Sequence, residues 1–373
     1  MPASVIGLWV AIHHVPWLGP MLADGARAVV GPAAVAIVED VAYDMQDRWN
    51  RFWRADEAPR PYWDVPPSIA SVSASSVPSA STPAPRSFRP LDVGPVFASS
   101  YAEGDGVWVP MIEAACGEQP CIFKTLLHPD RVRGWASVAV AAIDTKVTRL
   151  HLVAGVEEPR ATQREALDLV RSGLIPPSDH DVLLAAFNGG FKTEHGSLGM
   201  QIDGVTFVLP QRWGCTVARL RDDRLSIASW PKMQDRLQGA RWWRQAPSCL
   251  VEEGNFAAGV HAEENINWGR AISGETIIRR SAMGTDERGE ILFVGISDAT
   301  SAGAIARAMH HAGAYTVAQL DVNWSFPKFL AYERGGSGLV AKPICPGFQF
   351  SEKEYVEKAS ARDFFYVTRL VDR

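Results

Sequence analysis

The run Ala185-Ala186-Phe187-Asn188-Gly189-Gly190-Phe191 decides how this chain of 373 residues is read. A buried strand over 182–187 runs into an asparagine, two glycines and an aromatic. Two glycines permit positive φ and let a backbone approach a ligand closely. Successive N–H groups in such a turn can form an anion-binding nest. The Asn188 amide can donate to and accept from hydroxyls. The same dipeptide Asn-Gly is also the commonest hairpin turn pair, so the run alone fits a plain tight turn. Lys192, Glu194, His195 and Gly199 follow within one short loop. A cation, a carboxylate and an imidazole beside a nest suit a negatively charged substrate, and loops on a rigid sheet often carry function.

Outward from this turn the chain alternates strand and helix signals. Strands are expected at 136–143 and 148–153, and a short helix at 164–172. Three hairpins are expected, about Gly204, about Arg221-Asp222-Asp223-Arg224 and about Asp286-Glu287-Arg288-Gly289. Ser301 reads as the N-cap of a helix over 301–312, with Ile305, Met309 and Ala312 on one face. A strand at 316–320 then delivers Asp321. This pattern predicts an α+β fold with a mixed, largely antiparallel sheet and packed helices.

The N-terminal part differs. Residues 1–23 hold no Asp, Glu, Lys or Arg, and an apolar run at 4–12 is followed by His13-His14 and Pro16. A spanning helix wants about 20 mostly apolar residues. The segment reads either as the remnant of a signal anchor or as a pair of short amphipathic helices. Residues 39–57 form an amphipathic helix with Val41, Met45, Trp49, Phe52 and Trp53 at helical spacing. The Pro/Ser/Ala-rich stretch 59–90 reads as a flexible linker, too poor in bulky groups to offset ordering entropy. The expected organisation is an apolar helical segment at 1–58, the linker at 59–90 and a globular domain at 91–373.

Bulk composition sets limits. A hydrophobic fraction of 47% and a charged fraction of 21% are globular values, enough to bury a core. With 37 basic and 42 acidic residues and no basic cluster, nucleic acid is not expected as a partner. Cys116 and Cys121 bracket four residues and read either as a small disulfide loop or as two thiols. No cysteine or histidine spacing compels a zinc site.

Two further clusters bear chemistry. One is Arg279-Arg280-Ser281-Ala282-Met283-Gly284. The other is Leu320-Asp321 with Asn323, Trp324 and Ser325 behind it. Asp298 lies between them in sequence. Strand ends carrying Asn, Arg and Asp can converge on one pocket. In this order the motifs resemble the phosphodiester glycosidase family: Asn188–Phe191, Arg280–Gly284, Asp298, Gly303 at a helix start, and Leu320-Asp321 to Ser325. The likeness spans roughly residues 120–370. One departure stands out. Val322-Asn323-Trp324 replaces the family's glycine turn after the aspartate, where Trp324 would either stack on a sugar or fill the pocket.

The resemblance implies cleavage of a sugar from a phosphodiester or related glycoconjugate. It implies Asp321, Glu194 and Asp298 as catalytic carboxylates, since glycosidic cleavage commonly uses carboxyl pairs. Asn188, Gly189, Gly190, Lys192, Arg280, Trp324 and Ser325 would bind substrate, Arg280 holding the phosphate through its planar fork. No cofactor is required, and the acidic residues leave room for a divalent cation. Partners would be a carbohydrate or sugar-phosphate and, through the N-terminal segment, a membrane. The expected location is the cell envelope or outside the cell. The alternative is an inactive carbohydrate-binding protein on the same fold, to which the 13 tryptophans, Trp242, Trp243 and Trp268 among them, would lend stacking surfaces.

Overall fold

A computed structural model describes residues 45–65, 88–117, 119–260, 277–336 and 338–370. The expected hairpins are present as Met200–Ile202 with Val205–Val208, Cys215–Arg219 with Leu225–Ser229, and Ile278–Thr285 with Ile291–Thr300. Their turns carry left-handed residues where the sequence supplies Gly204, Asp223 and Gly289.

The expectation of an α+β fold is corrected. The described chain is mostly β, built of three larger antiparallel sheets with few short helices. One sheet of eight strands runs Val109–Pro110, Ile122–Leu127, Val138–Asp144, Ile291–Thr300, Ile278–Thr285, Thr316–Val322, Val251–Glu252, Asn255–Phe256. A second runs Leu225–Ser229, Cys215–Arg219, Trp242–Ala246, Met200–Ile202, Val205–Val208. The third runs Gly338–Pro343, Phe329–Gly335, Leu183–Asn188, Phe364–Arg369, Thr148–Val153. Several of these strands escape sequence reading because both faces are covered. Trp242–Ala246 is buried at every position and Phe364–Arg369 at all but its last, so neither alternates. The helix expected at 164–172 is only Arg164–Leu167. Val170 in the missing turn is almost fully exposed, so no buried face would stabilise further helix.

A central apolar core fills the space among the three sheets. Phe187 sits in it, stacked on Phe329 and Phe365 of the strands to either side. A second core lies between the eight-stranded sheet and the helix Ala302–His311. Ser301 caps that helix as expected, its Oγ accepting from the Ala304 amide at 3.1 Å. Gly295 lets the helix come down on the sheet: a Cβ there would stand 2.4 Å from Met309 Sδ.

Within the predicted N-terminal helix, residues 45–53 are helical. Asp47 anchors this helix to the domain, accepting from Arg133 Nε and Nη2, both at 2.8 Å. Met45, Trp49, Phe52 and Trp53 stay exposed. Of the predicted linker, 59–65 packs on the domain: Ser137 Oγ donates to Tyr62 at 2.8 Å, and Lys124 lies over the Trp63 ring. The apolar run at 4–12, the rest of the predicted linker through residue 87, and Trp268 lie outside the described residues. Among the described residues no helix is long and apolar enough to cross a membrane.

Two disulfides form. Cys116–Cys121 closes the small loop. Cys215–Cys249, which the sequence did not single out, ties the second sheet to the chain entering the edge of the first. Such bridges persist in oxidising compartments. Cys345 is a buried thiol, its pKa pushed up to about 12 by burial. Replacing Cys215 and Cys249 together by Ser should cost about 2–4 kcal/mol in urea unfolding under oxidising conditions. An unchanged midpoint would mean the cross-link contributes nothing.

Candidate functional site

Asn188 ends the central strand of the third sheet and is fully buried. Its Oδ1 accepts from the Lys328 amide at 3.0 Å. Its Nδ2 donates to Gly189 O at 2.9 Å and to Ser281 Oγ at 2.8 Å. Both amide hydrogens are therefore used in tying the third sheet to the first, and the side chain works as a structural clamp.

The expected nest does not form at the two glycines that follow: neither has a positive φ, and each amide is taken by a different oxygen of Asp363. Gly190 N donates to Asp363 Oδ2 at 3.1 Å, and Gly189 N to Asp363 O at 2.9 Å. Glycine is required here for close approach. A Cβ on Gly189 would lie 2.2 Å from Asp363 Oδ2 and 2.5 Å from its carbonyl oxygen. Arg244 neutralises the carboxylate, with Nε 3.0 Å from Asp363 Oδ2. Its remaining donors reach the carbonyls of Phe191, Leu198 and Gln245 at 2.6, 3.0 and 3.1 Å. Both members of this pair are essentially inaccessible, so the pairing offsets a large desolvation cost.

Arg362, next in the chain to Asp363, turns the other way. Its Nη2 donates to Gly190 O at 2.8 Å, and its guanidinium lies 4.1 Å from the Phe326 ring centre. Its Nη1 stands 2.9 Å from Asp321 Oδ2, an ion-pair distance off the line of a hydrogen bond. Among the described residues Asp321 Oδ2 and Arg362 Nε have no hydrogen-bond partner. A β-bulge aims Asp321. Register passes from Ala282 opposite Gln319 to Arg280 opposite Val322, which sets Leu320 and Asp321 together against Ser281. The Asp321 amide then donates to Ser281 Oγ at 3.2 Å, the oxygen Asn188 also binds.

The loop after these glycines carries Lys192, Glu194 and His195. Glu194 Oε1 is 3.7 Å from Lys192 Nζ and 3.6 Å from His195 Nε2. Buried Glu158 holds the loop by accepting from Thr193 N and Oγ1, both at 2.9 Å. Burial pushes the Glu158 carboxyl up, but hydrogen bonds from Thr193 and Arg160 hold it below the usual range. The His195 pKa is lowered, first by desolvation and then by Arg362 and Lys192, against Glu194 and Asp321. The loop thus shares its field with the Asp321–Arg362 pair.

Not every residue singled out in the sequence joins this cluster. Arg280 points to the opposite face of its strand from Ser281. There its Nε donates to Thr300 O and its Nη1 to Gln319 Oε1, each at 3.0 Å, and it is 1% exposed. Asp298 pairs with Arg279, whose Nε donates to it at 2.9 Å. Trp324 and Ser325 are half-buried in the turn after Asp321, where Asn323 Oδ1 accepts from Ser325 N and Oγ. Trp242 and Trp243 are buried and offer no stacking face. Arg244, Arg362 and Asp363 were not foreseen. Their one sequence signal is charge set in or beside an apolar strand, Trp242–Ala246 and Phe364–Arg369. No group of three or more His, Cys, Asp or Glu able to hold a metal occurs among the described residues.

No protein-family model matches the chain, and no curated protein matches it. Among solved structures it is similar to the zebrafish N-acetylglucosamine-1-phosphodiester alpha-N-acetylglucosaminidase catalytic domain auto-inhibited by its pro-peptide. The identity is 14%, over 71% of this chain and 88% of that one, with a TM-score of 0.43. A hypothetical protein from Synechocystis gives 12% identity over 67% and 62% of the two chains, with a TM-score of 0.36. A putative exported protein from Burkholderia pseudomallei gives 11% over 62% and 74%, with a TM-score of 0.30.

Arg244→Met should leave Asp363 charged and unpaired, and lower stability in denaturant unfolding by about 3–5 kcal/mol. A loss under about 1 kcal/mol would show that the Gly190 amide holds the carboxylate unaided.

Proposed function

We propose that the chain is a glycoside hydrolase-like protein that cleaves a sugar-1-phosphodiester or a related glycoconjugate. One observation carries this reading: Asp321 and Arg362 face each other almost buried, each keeping a polar atom without a hydrogen-bond partner among the described residues. A carboxylate and a guanidinium set against each other in this way suit a sugar cation on one side and a phosphate on the other.

In this mechanism the bond between the anomeric carbon and the phosphate oxygen breaks, its electron pair leaving with the phosphate. Such a leaving group needs charge stabilisation more than a proton. Arg362 supplies it, with Lys192 as the second cation. The Asp321 carboxylate stabilises the oxocarbenium-like sugar. Water then adds to the anomeric carbon, and Glu194 takes its proton. Asn188 and Ser281 act behind the site by fixing where Asp321 stands. Arg280 and Asp298, already engaged elsewhere, take no part. The activity belongs to residues 91–373. The two disulfides accord with work in the envelope or outside the cell, where segments 1–58 and 59–90 would hold the domain in place.

A second reading is a carbohydrate-binding protein without turnover. Half-buried Trp324 favours it, standing where a glycine turn would leave room for substrate. Release of sugar from synthetic sugar-1-phosphodiesters separates the two. Wild-type protein should turn over, and Asp321→Asn or Arg362→Gln should lose at least about 100-fold in kcat/KM per folded molecule, the folded fraction read by circular dichroism because each variant breaks an almost buried pair. Glycan binding without turnover would establish the second reading. Neither binding nor turnover would remove both.

A further inference from the structure

A second concave region lies away from Asp321, toward the far end of the strand Phe364–Arg369, between the second and third sheets. Its volume is 1120 Å³, and five arginines line it: Arg149, Arg171, Arg219, Arg241 and Arg369. Three aspartates line it as well, Asp179, Asp203 and Asp223. With histidine neutral, five cations against three anions leave an excess of two positive charges, in a chain whose net charge is −5. Overall composition therefore does not explain the local sign.

Three of the arginines crowd one carboxylate. Arg219 Nη2 is 2.6 Å from Asp223 Oδ1, Arg149 Nη2 is 3.3 Å from Asp223 Oδ2, and Arg241 Nε is 3.7 Å from Asp223 Oδ1. They come from different places. Arg219 ends a strand of the second sheet, Arg241 precedes the next strand of that sheet, and Arg149 stands on the third sheet. Asp223 sits at a hairpin tip and spans the gap. One carboxylate neutralises one guanidinium, so two remain uncompensated at contact range. Among the described residues Arg219 Nε has no hydrogen-bond partner, although its side chain is only 12% exposed. Of the other anions, Asp179 already accepts from the Tyr366 hydroxyl at 2.6 Å. A smaller cavity of 330 Å³ abuts the same three groups, Arg149, Arg219 and Asp223, and adds Arg288 together with the pairs Lys146–Glu290 and Arg224–Asp222. The guanidinium cluster is thus open on two sides.

We propose that this cluster is a binding site for a multivalent oxyanion of the phosphate or sulfate class, held by Arg149, Arg219 and Arg241 in place of part of the Asp223 contact. Guanidinium forks match tetrahedral oxyanions in geometry as well as in charge. His151 lies within the cavity and is pushed down to about 4, by burial first and then by Arg219 and Arg149, so it stays neutral at physiological pH. The site does not depend on the hydrolase reading.

Calorimetry on the full chain tests it, with inorganic pyrophosphate, glucose 6-phosphate and glucose as titrants. Pyrophosphate should bind and glucose should not. Glucose 6-phosphate binding with at least the affinity of pyrophosphate would point to a sugar-borne phosphate, and weaker binding to a free one; both support the site. Arg149→Gln with Arg241→Gln, both partly exposed, should weaken binding by at least about tenfold. Asp223→Asn should tighten it, because a competing carboxylate is removed. Asp321→Asn should leave it unchanged, which separates this site from the proposed active site. Absence of binding heat up to about 10 mM pyrophosphate would overturn the inference. So would equal affinity in the double arginine variant, or loss of binding in Asp223→Asn.

Discussion

The carboxylate of Asp363 sits where strands from different sheets must meet, and the meeting depends on how its charge is handled. The amide of Gly190 and the guanidinium of Arg244 hold it from two sides, with both charged groups out of reach of water. Arg244 comes from the second sheet and Asp363 from the entry to a strand of the third. The pair therefore joins those two sheets, as Asn188 and Ser281 join the third to the first. Buried ion pairs are weak contributors to net stability but expensive to break singly.

Adjacent residues at a strand entry point in opposite directions, and the consequences for this chain are large. Asp363 faces inward and closes the scaffold. Arg362 faces out toward Asp321 and the loop of Lys192, Glu194 and His195. The amides of Gly189 and Gly190, where the sequence suggested an anion site, are both taken by Asp363. The bulge at Leu320–Asp321 completes the arrangement by turning a carboxylate toward Arg362 that a regular strand would have sent to the helix side.

The hairpins and the capped helix were legible in the sequence because they rest on local chemistry: glycine or aspartate in left-handed turns, and a serine cap. The α+β expectation fails because strands covered on both faces, such as Trp242–Ala246, show no alternation to read. Asn188 and Asp321 share a cluster, although the hydroxyl-binding role expected of Asn188 meets an amide already committed. Strand alternation explains Arg280, whose neighbour Ser281 faces the site while Arg280 faces the helix-covered side. Arg362, Asp363 and Arg244 were hidden for another reason. Each acts through contacts with residues remote in sequence, which no local pattern announces.

The central claim is that the Gly190 amide belongs to Asp363 while, in the proposed reaction, Arg362 and Asp321 face the substrate. A crystal structure of the Asp321→Asn protein soaked with a sugar phosphate tests it most directly. The account predicts the phosphate against Arg362, with Asp363 still bound to Gly190 and Arg244. Phosphate density in the Gly189–Gly190 turn, with Asp363 swung away, would contradict it.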